Sequence, residues 1–440
     1  MDQLELDFRF VVDTARRSIR LHLAELEEQS SATGDDTPAL ARRLEAELNK
    51  YDNDITTRWP KFLLGDDADR ESLTSFVRTR ANELARLEAP VTWCHRGAPK
   101  DVSLAQLYFA QEAASAIVGA RSEVLVVLSA ESGFATPVPI KKWTARPAHG
   151  AAEPVVVFAP PQETRTTMLL PLLAHEVAHT AIATHSLLVR VKDQIGPDWS
   201  SAVDEAAGFM EAQTGTARAA AVLHVDTMLE RWTVELLCDA LATAYCGTSY
   251  LYAFCAAVLG RELAAPSHGH PPASERVSSI IELLARMGHD PTEALSPNDP
   301  SIGEPGFGAW LAYVSNAPVH VDDTRERILR QCTAMRTKLH DLVLSHLAGE
   351  QFGARQLAAQ APIEGFLADR IVAAQAETGD HMDRRAILHA AWLLAFREGG
   401  PVPHTMPLAL DDLEFQAMLE RSIELSYVVE RWNQRPAVVT

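Results

Sequence analysis

The segment 168–182 constrains the fold more than any other stretch of the chain. Leu169, Leu170, Leu172 and Leu173 open it, and Ala181 and Ile182 close it. A helix with so much apolar surface must be covered by other elements. Yet it carries His175, Glu176 and His179. Polar groups taken out of water cost several kcal/mol unless they find partners, so whatever covers this helix must supply them. His175 and His179 are four residues apart and share one helical face. Glu176 lies about 100° around the helix from His175.

The partner segment is 232–242. Glu235 and Asp239 stand one turn apart among Val234, Leu236, Leu237, Ala240, Leu241 and Ala242. Two carboxylates inside an apolar run call for a cation or a hydrogen-bond donor. Two imidazoles on one helical face can reach a single zinc ion, with the glutamate between them as general base to a water. Glu235 is the candidate third ligand. Asp239 is placed to accept the second ring N–H of a ligating histidine, which fixes its tautomer. A third element, 267–277, holds His270-Pro271-Pro272 and, six residues after His270, Arg276. These two offer donors to a developing oxyanion or a substrate carbonyl.

The combination HExxH, then ExxxD on a later helix, resembles the gluzincin pattern. With the added His-Pro and Arg element it resembles the M48 class of zinc metallopeptidases. The resemblance spans roughly residues 100–290. It implies a zincin-like core, one zinc per chain and a peptide or protein substrate. It places His175, His179 and Glu235 at the metal ligands and Glu176 at the catalytic glutamate. Asp239 falls at the carboxylate behind the ligands, and His270 and Arg276 fall at the downstream active-site pair. Where the family often has alanine before that aspartate, this chain has Cys238. Two other readings stand beside a peptidase: a regulatory zinc-binding interaction protein with little turnover, and a zinc hydrolase of a non-peptide amide. The intact glutamate of HExxH argues against the first, since a structural zinc site has no need of it.

The rest of the chain predicts an α+β, mainly helical protein. Residues 1–98 form a charged, helical N-terminal region, 99–290 the zincin-like catalytic domain and 291–440 a helical C-terminal domain. A helix is expected over 101–120, capped by Asp101 or Ser103. Strands are expected at 124–128, 138–143 and 155–158, making a small sheet. From 164 onward the pattern is helical: 166–185, 198–213, 217–245, 250–263 and 274–287. Loops over 288–305 precede four more helices at 324–347, 354–377, 384–396 and 410–432.

Composition narrows the partners. The net charge of −19 repels phosphate backbones and anionic membrane surfaces, so neither nucleic acid nor membrane insertion is expected. No apolar run approaches the roughly 18 residues of a spanning helix. The N-terminus has no leader-like apolar segment. The 5 cysteines are scattered, which fits a reducing cytoplasm. The helical flanks suit self-association or a protein partner. Cys238, Cys246 and Cys255 read as small buried hydrophobes, with Cys238 off the Glu235/Asp239 face. His185 reads as a helix-end surface residue, Tyr245 and Tyr250 as packing, His268 as a substitute for His270, and Trp392 and Trp432 as core or interface anchors.

Overall fold

The structure is a computed structural model. It describes residues 103–119, 122–128, 153–159, 167–258, 269–289, 322–376, 380–397 and 413–434, with a few isolated positions elsewhere. The expected strand 138–143, His268 and nearly all of 1–98 lie outside the described residues. Among those described, the protein is mainly helical. Two compact units divide the chain.

One unit contains the two described strands, β1 (Ser122–Leu128) and β2 (Glu153–Ala159), which pair in a two-stranded sheet. Val124, Val126, Val155, Val156 and Val157 are buried, as expected of β-branched residues on a pleated surface.

The other unit is helical. It comprises α1 (Leu104–Ile117), α2 (Pro171–Thr184), α3 (Leu187–Ile195), α4 (Pro197–Thr214), α5 (Arg218–Cys246) and α6 (Thr248–Val258). These are followed by α7 (Ala273–Arg286), α8 (Asp323–His346), α9 (Ala354–Ala358), α10 (Gln360–Ala368), α11 (Arg384–Arg397) and α12 (Leu413–Asn433). The helices before and after the 288–305 stretch belong to this same unit. None of the described helices is long and apolar enough to cross a membrane.

The 29-residue α5 is the spine, packed against α2, α4, α7 and α8. From Leu236 to Cys246 it is buried at every position. Each large side chain removed from water there contributes roughly 1.5–3 kcal/mol. The helix ends at Gly247, which has φ +65°. A Cβ at that point would also run into the Phe352 ring. Glycine satisfies both demands, and α6 starts in the next residue.

Three expectations need correction. The helix foreseen at 166–185 begins only at Pro171, after a 3-10 turn at Thr167–Leu169. Proline suits the first helical position but cannot continue a helix that started earlier. Helix α3 was not foreseen; Ser186, at φ 53°, separates it from α2. The single helix expected at 354–377 is two short ones. Pro362 has no N–H for the Ala358 carbonyl, so α9 stops there and α10 takes Pro362 into its first turn. Helix α10 in turn ends where Arg370 adopts φ 57°, and Gln375 and His381 then form an antiparallel bridge. At the head of α1, Ser103 holds the N-cap position but its side chain makes no cap hydrogen bond.

Candidate metal centre

Helices α2, α5, α6 and α7 bring the polar groups of the apolar core together. Pairing of α2 with α5 buries His175, Glu176, Glu235 and Asp239. His175 Nε2 lies 3.5 Å from Glu235 Oε2, and His179 Nε2 lies 3.7 Å from Glu235 Oε1. The two imidazole rings meet edge to face with centroids 5.1 Å apart. The other nitrogen of His175, Nδ1, is 3.0 Å from Asp239 Oδ1. With Nδ1–H donating to that carboxylate, Nε2 is the nitrogen turned toward Glu235, and it is the one a bound metal would take.

Asp239 is fully buried and is held from three sides. Arg276, in the first turn of α7, donates from Nε to Oδ2 at 2.7 Å and from Nη2 to Oδ1 at 2.7 Å. This is the forked geometry that makes a guanidinium a strong carboxylate partner. Tyr250, three residues into α6, donates its hydroxyl to Oδ1 at 2.5 Å. The same hydroxyl lies 3.1 Å from His175 Nδ1, and the tyrosine and histidine rings are nearly parallel. Arg276 also approaches Glu235 Oε2 at 3.5 Å and lies over the Phe254 ring. The guanidinium is thus taken up by Glu235 and Asp239 of α5.

His270 stands in the turn before α7, with Nε2 3.7 Å from Glu235 Oε2. Its side chain is 58% exposed, against 10% for Glu235. It forms the solvent side of the cluster. All six residues singled out in the later motifs and the HExxH pair therefore converge: His175, His179, Glu235, Asp239, His270 and Arg276. Glu176 is buried beside them, and its charge acts on His179 and on Cys238.

Burial opposes every charge here, and the partners decide which survive. Without a metal, burial lowers the His175 pKa, but hydrogen bonds to Asp239 and Glu235 outweigh it and raise it to about 10. For His179 burial wins, and its pKa falls. Burial would raise Glu235, but His175 and Arg276 bring it down to about 2. Asp239 is held below the usual carboxylate range against the same burial, chiefly by Arg276.

The structure departs from the sequence expectation at three residues. Cys238 is not turned away from the site. One ligand atom from each of His175, His179 and Cys238 lies within 4.8 Å of the others, a buried group that could hold a metal ion. Helix arithmetic carried the signal: three residues after Glu235 is a rotation of about −60°, still on the α2 face. Tyr250 is a hydrogen-bonding member of the cluster, not packing alone. No local pattern marked it, because it reaches Asp239 only through the turn at Gly247. His185, expected at the surface, is partly buried, pairs Nε2 with the Val118 carbonyl at 2.7 Å and leans on His346. Trp392 is buried and donates to the Met168 carbonyl, whereas Trp432 is 67% exposed.

No family model matches the chain, and no curated protein or solved structure matches it.

Proposed function

We propose that the protein is a zinc-dependent metallopeptidase of the gluzincin type, built on a zincin-like helix pair, acting on peptide or protein substrates. The observation that carries this reading is the gathering of the two HExxH histidines against the Glu235 carboxylate in one largely buried cluster. Ligand atoms of a tetrahedral zinc at bonds of about 2.1 Å stand about 3.4 Å apart. Glu235 meets each imidazole near that separation through a different oxygen, Oε2 to His175 at 3.5 Å and Oε1 to His179 at 3.7 Å, so a small turn of the carboxylate would give one oxygen to an ion. Asp239 behind His175 completes the arrangement that orients a ligating imidazole.

His175, His179 and Glu235 would hold the zinc. Bound there, it would supply Lewis-acid polarisation of a scissile carbonyl and acidify a water. Glu176, beside the ligands and not one of them, takes the proton of the attacking water and returns it to the leaving amine. His270, on the solvent side, donates a hydrogen bond to the tetrahedral oxyanion. Arg276 acts through Asp239 and Glu235, holding both carboxylates in place.

Metal analysis of protein purified without chelator should find about one zinc per chain, and none in a His175→Ala/His179→Ala variant. Glu176→Gln should keep the metal and lose peptide hydrolysis by on the order of a thousandfold. Metal content that survives loss of both histidines would overturn the site. Loss of zinc in the Glu176→Gln protein would make Glu176 a ligand and overturn its role as base.

A further inference from the structure

Resting on that reading of the site, we infer that Cys238 is itself a metal ligand, and that the resting centre is a closed set of two imidazoles, one carboxylate and one thiolate. The sulfur is already among the donors. The group of His175, His179 and Cys238 has its ligand atoms within 4.8 Å of one another before any ion binds. Zinc–sulfur and zinc–nitrogen bonds of about 2.3 and 2.1 Å in a tetrahedron separate the two donors by about 3.6 Å. Ion binding therefore draws Cys238 in by about an ångström at most. Glu235 and Cys238 are neighbours three apart on α5, a spacing whose side chains meet over one helical face.

The surroundings of Cys238 differ from those of a cysteine used as filler. Cys255 on α6 is equally buried, and burial alone pushes its thiol up. Around Cys238 the carboxylates of Glu235, Glu176 and Asp239 add to burial in pushing the thiol up, and Arg276 opposes them. The thiol of Cys238 thus sits in the polar centre, among groups that attract a cation. A divalent ion reverses the local cost of a negative sulfur. On ligation the Sγ–H bond breaks, the Sγ–metal bond forms, and the proton leaves to solvent, with no change of oxidation state.

Two consequences follow. A thiolate donor turns the site toward soft ions such as Zn2+ and Cd2+ and away from Mg2+ or Mn2+. Four protein ligands also fill a tetrahedron, so the resting site has no vacant position for water. The proposed hydrolase is then latent, and hydrolysis requires Cys238 to leave the ion.

Cobalt substitution reads this directly. The wild-type protein loaded with Co2+ should show visible tetrahedral cobalt bands together with near-ultraviolet thiolate-to-cobalt charge-transfer absorption. Cys238→Ser should lose the charge-transfer absorption and keep the visible bands. Its affinity for Cd2+ should fall more than its affinity for Zn2+. Should the variant fail to fold, cadmium NMR of the wild-type protein alone reports whether a sulfur is bound. Visible cobalt bands without a sulfur signature in the wild-type protein overturn this inference and leave the hydrolase reading intact. No cobalt binding at all overturns both.

Discussion

Arg276 on α7 is largely buried and the pair Arg384 and Arg385 at the head of α11 are buried, yet the neighbourhoods of these guanidinium groups are built differently. Arg384 ties Glu112 of α1 to Glu430 of α12. Arg385 is clamped on Asp383 at 2.7 Å, donates to the Glu350 carbonyl and lies over the Tyr245 ring. There two cations face three carboxylates, all three partly open to solvent. At the metal centre Arg276 is the one arginine among Glu176, Glu235 and Asp239, with imidazole and thiol donors alongside. In the α11 cluster each guanidinium closes on carboxylates and backbone carbonyls, so the cluster ties helices together. The other gathers imidazole, thiol and carboxylate donors in one place, which suits a divalent ion. Burying charge does not by itself make a metal site; the kind of donor and its convergence do.

The comparison breaks most visibly at Asp239. Its carboxylate serves both the fold, through Arg276, and the metal, through His175. Asp239→Ala should cost about 3–5 kcal/mol of stability by leaving a buried guanidinium without its main partner. It should also weaken zinc binding by about ten- to a hundredfold. Denaturant melts and titration against a competing chelator measure the two separately. An unchanged metal affinity would reduce Asp239 to a structural counter-ion, like Asp383.

Arg385→Met is the matching change in the other cluster. It keeps an apolar stem, removes the cation and leaves Asp383 with the Gln356 amide and the residue 385 backbone N–H as its donors. A loss of about 3 kcal/mol is expected, with zinc affinity and stoichiometry unchanged. A fall in zinc affinity would show that the two clusters are coupled, and the division drawn between them would fail.

Acid sharpens the same contrast near α11. His389 is buried, with its ring nitrogens 2.7 Å from Thr248 Oγ1 and 3.2 Å from Gln360 Oε1. A neutral ring satisfies both, accepting from the threonine and donating to the amide. Burial, aided by nearby His289, lowers its pKa to about 4. In the unfolded chain it titrates near 6.5. Between those values the unfolded state binds a proton that the native state refuses. Stability is therefore lost as pH falls through that window, by up to about 3 kcal/mol. Stability measured by denaturant at pH 7 and pH 4.5 should drop less in His389→Gln than in the wild-type protein. An equal drop in both would remove His389 from the account.

The pattern of residues reached some of these features and not others, for physical reasons. Local spacing places His175 with His179, and Glu235 with Asp239, because a helix puts positions four apart on one face. The apolar flanks announce that both helices are buried. What depends on the path between helices is hidden. Tyr250 reaches Asp239 because Gly247 turns the chain, and Arg276 finds its carboxylates because α7 packs on α5. Cys238 was legible in angle but masked by its ordinary role as a buried hydrophobe. The division of 354–377 could have been read from Pro362, whose effect on the Ala358 carbonyl is local.

The smallest effect separates two tyrosines that looked alike in the sequence. Tyr245 and Tyr250 flank Gly247 and are both fully buried. The Tyr245 hydroxyl has no hydrogen-bond partner among the described residues. The Tyr250 hydroxyl donates to Asp239 and touches His175. Phenylalanine at either position keeps the ring and its packing. Tyr245→Phe removes a buried hydroxyl that has no bond to lose, so stability should hold or rise by up to about 1 kcal/mol. Tyr250→Phe takes one of the donors from Asp239 Oδ1 while leaving the ring against His175. The remaining donors, Arg276 and His175 Nδ1–H, still hold the carboxylate. The expected loss is about 1 kcal/mol, read as a several-fold weaker zinc affinity with stoichiometry still about one. Chelator competition on the two variants side by side makes the test. Equal affinities would return Tyr250 to the packing role that its position in the sequence suggested.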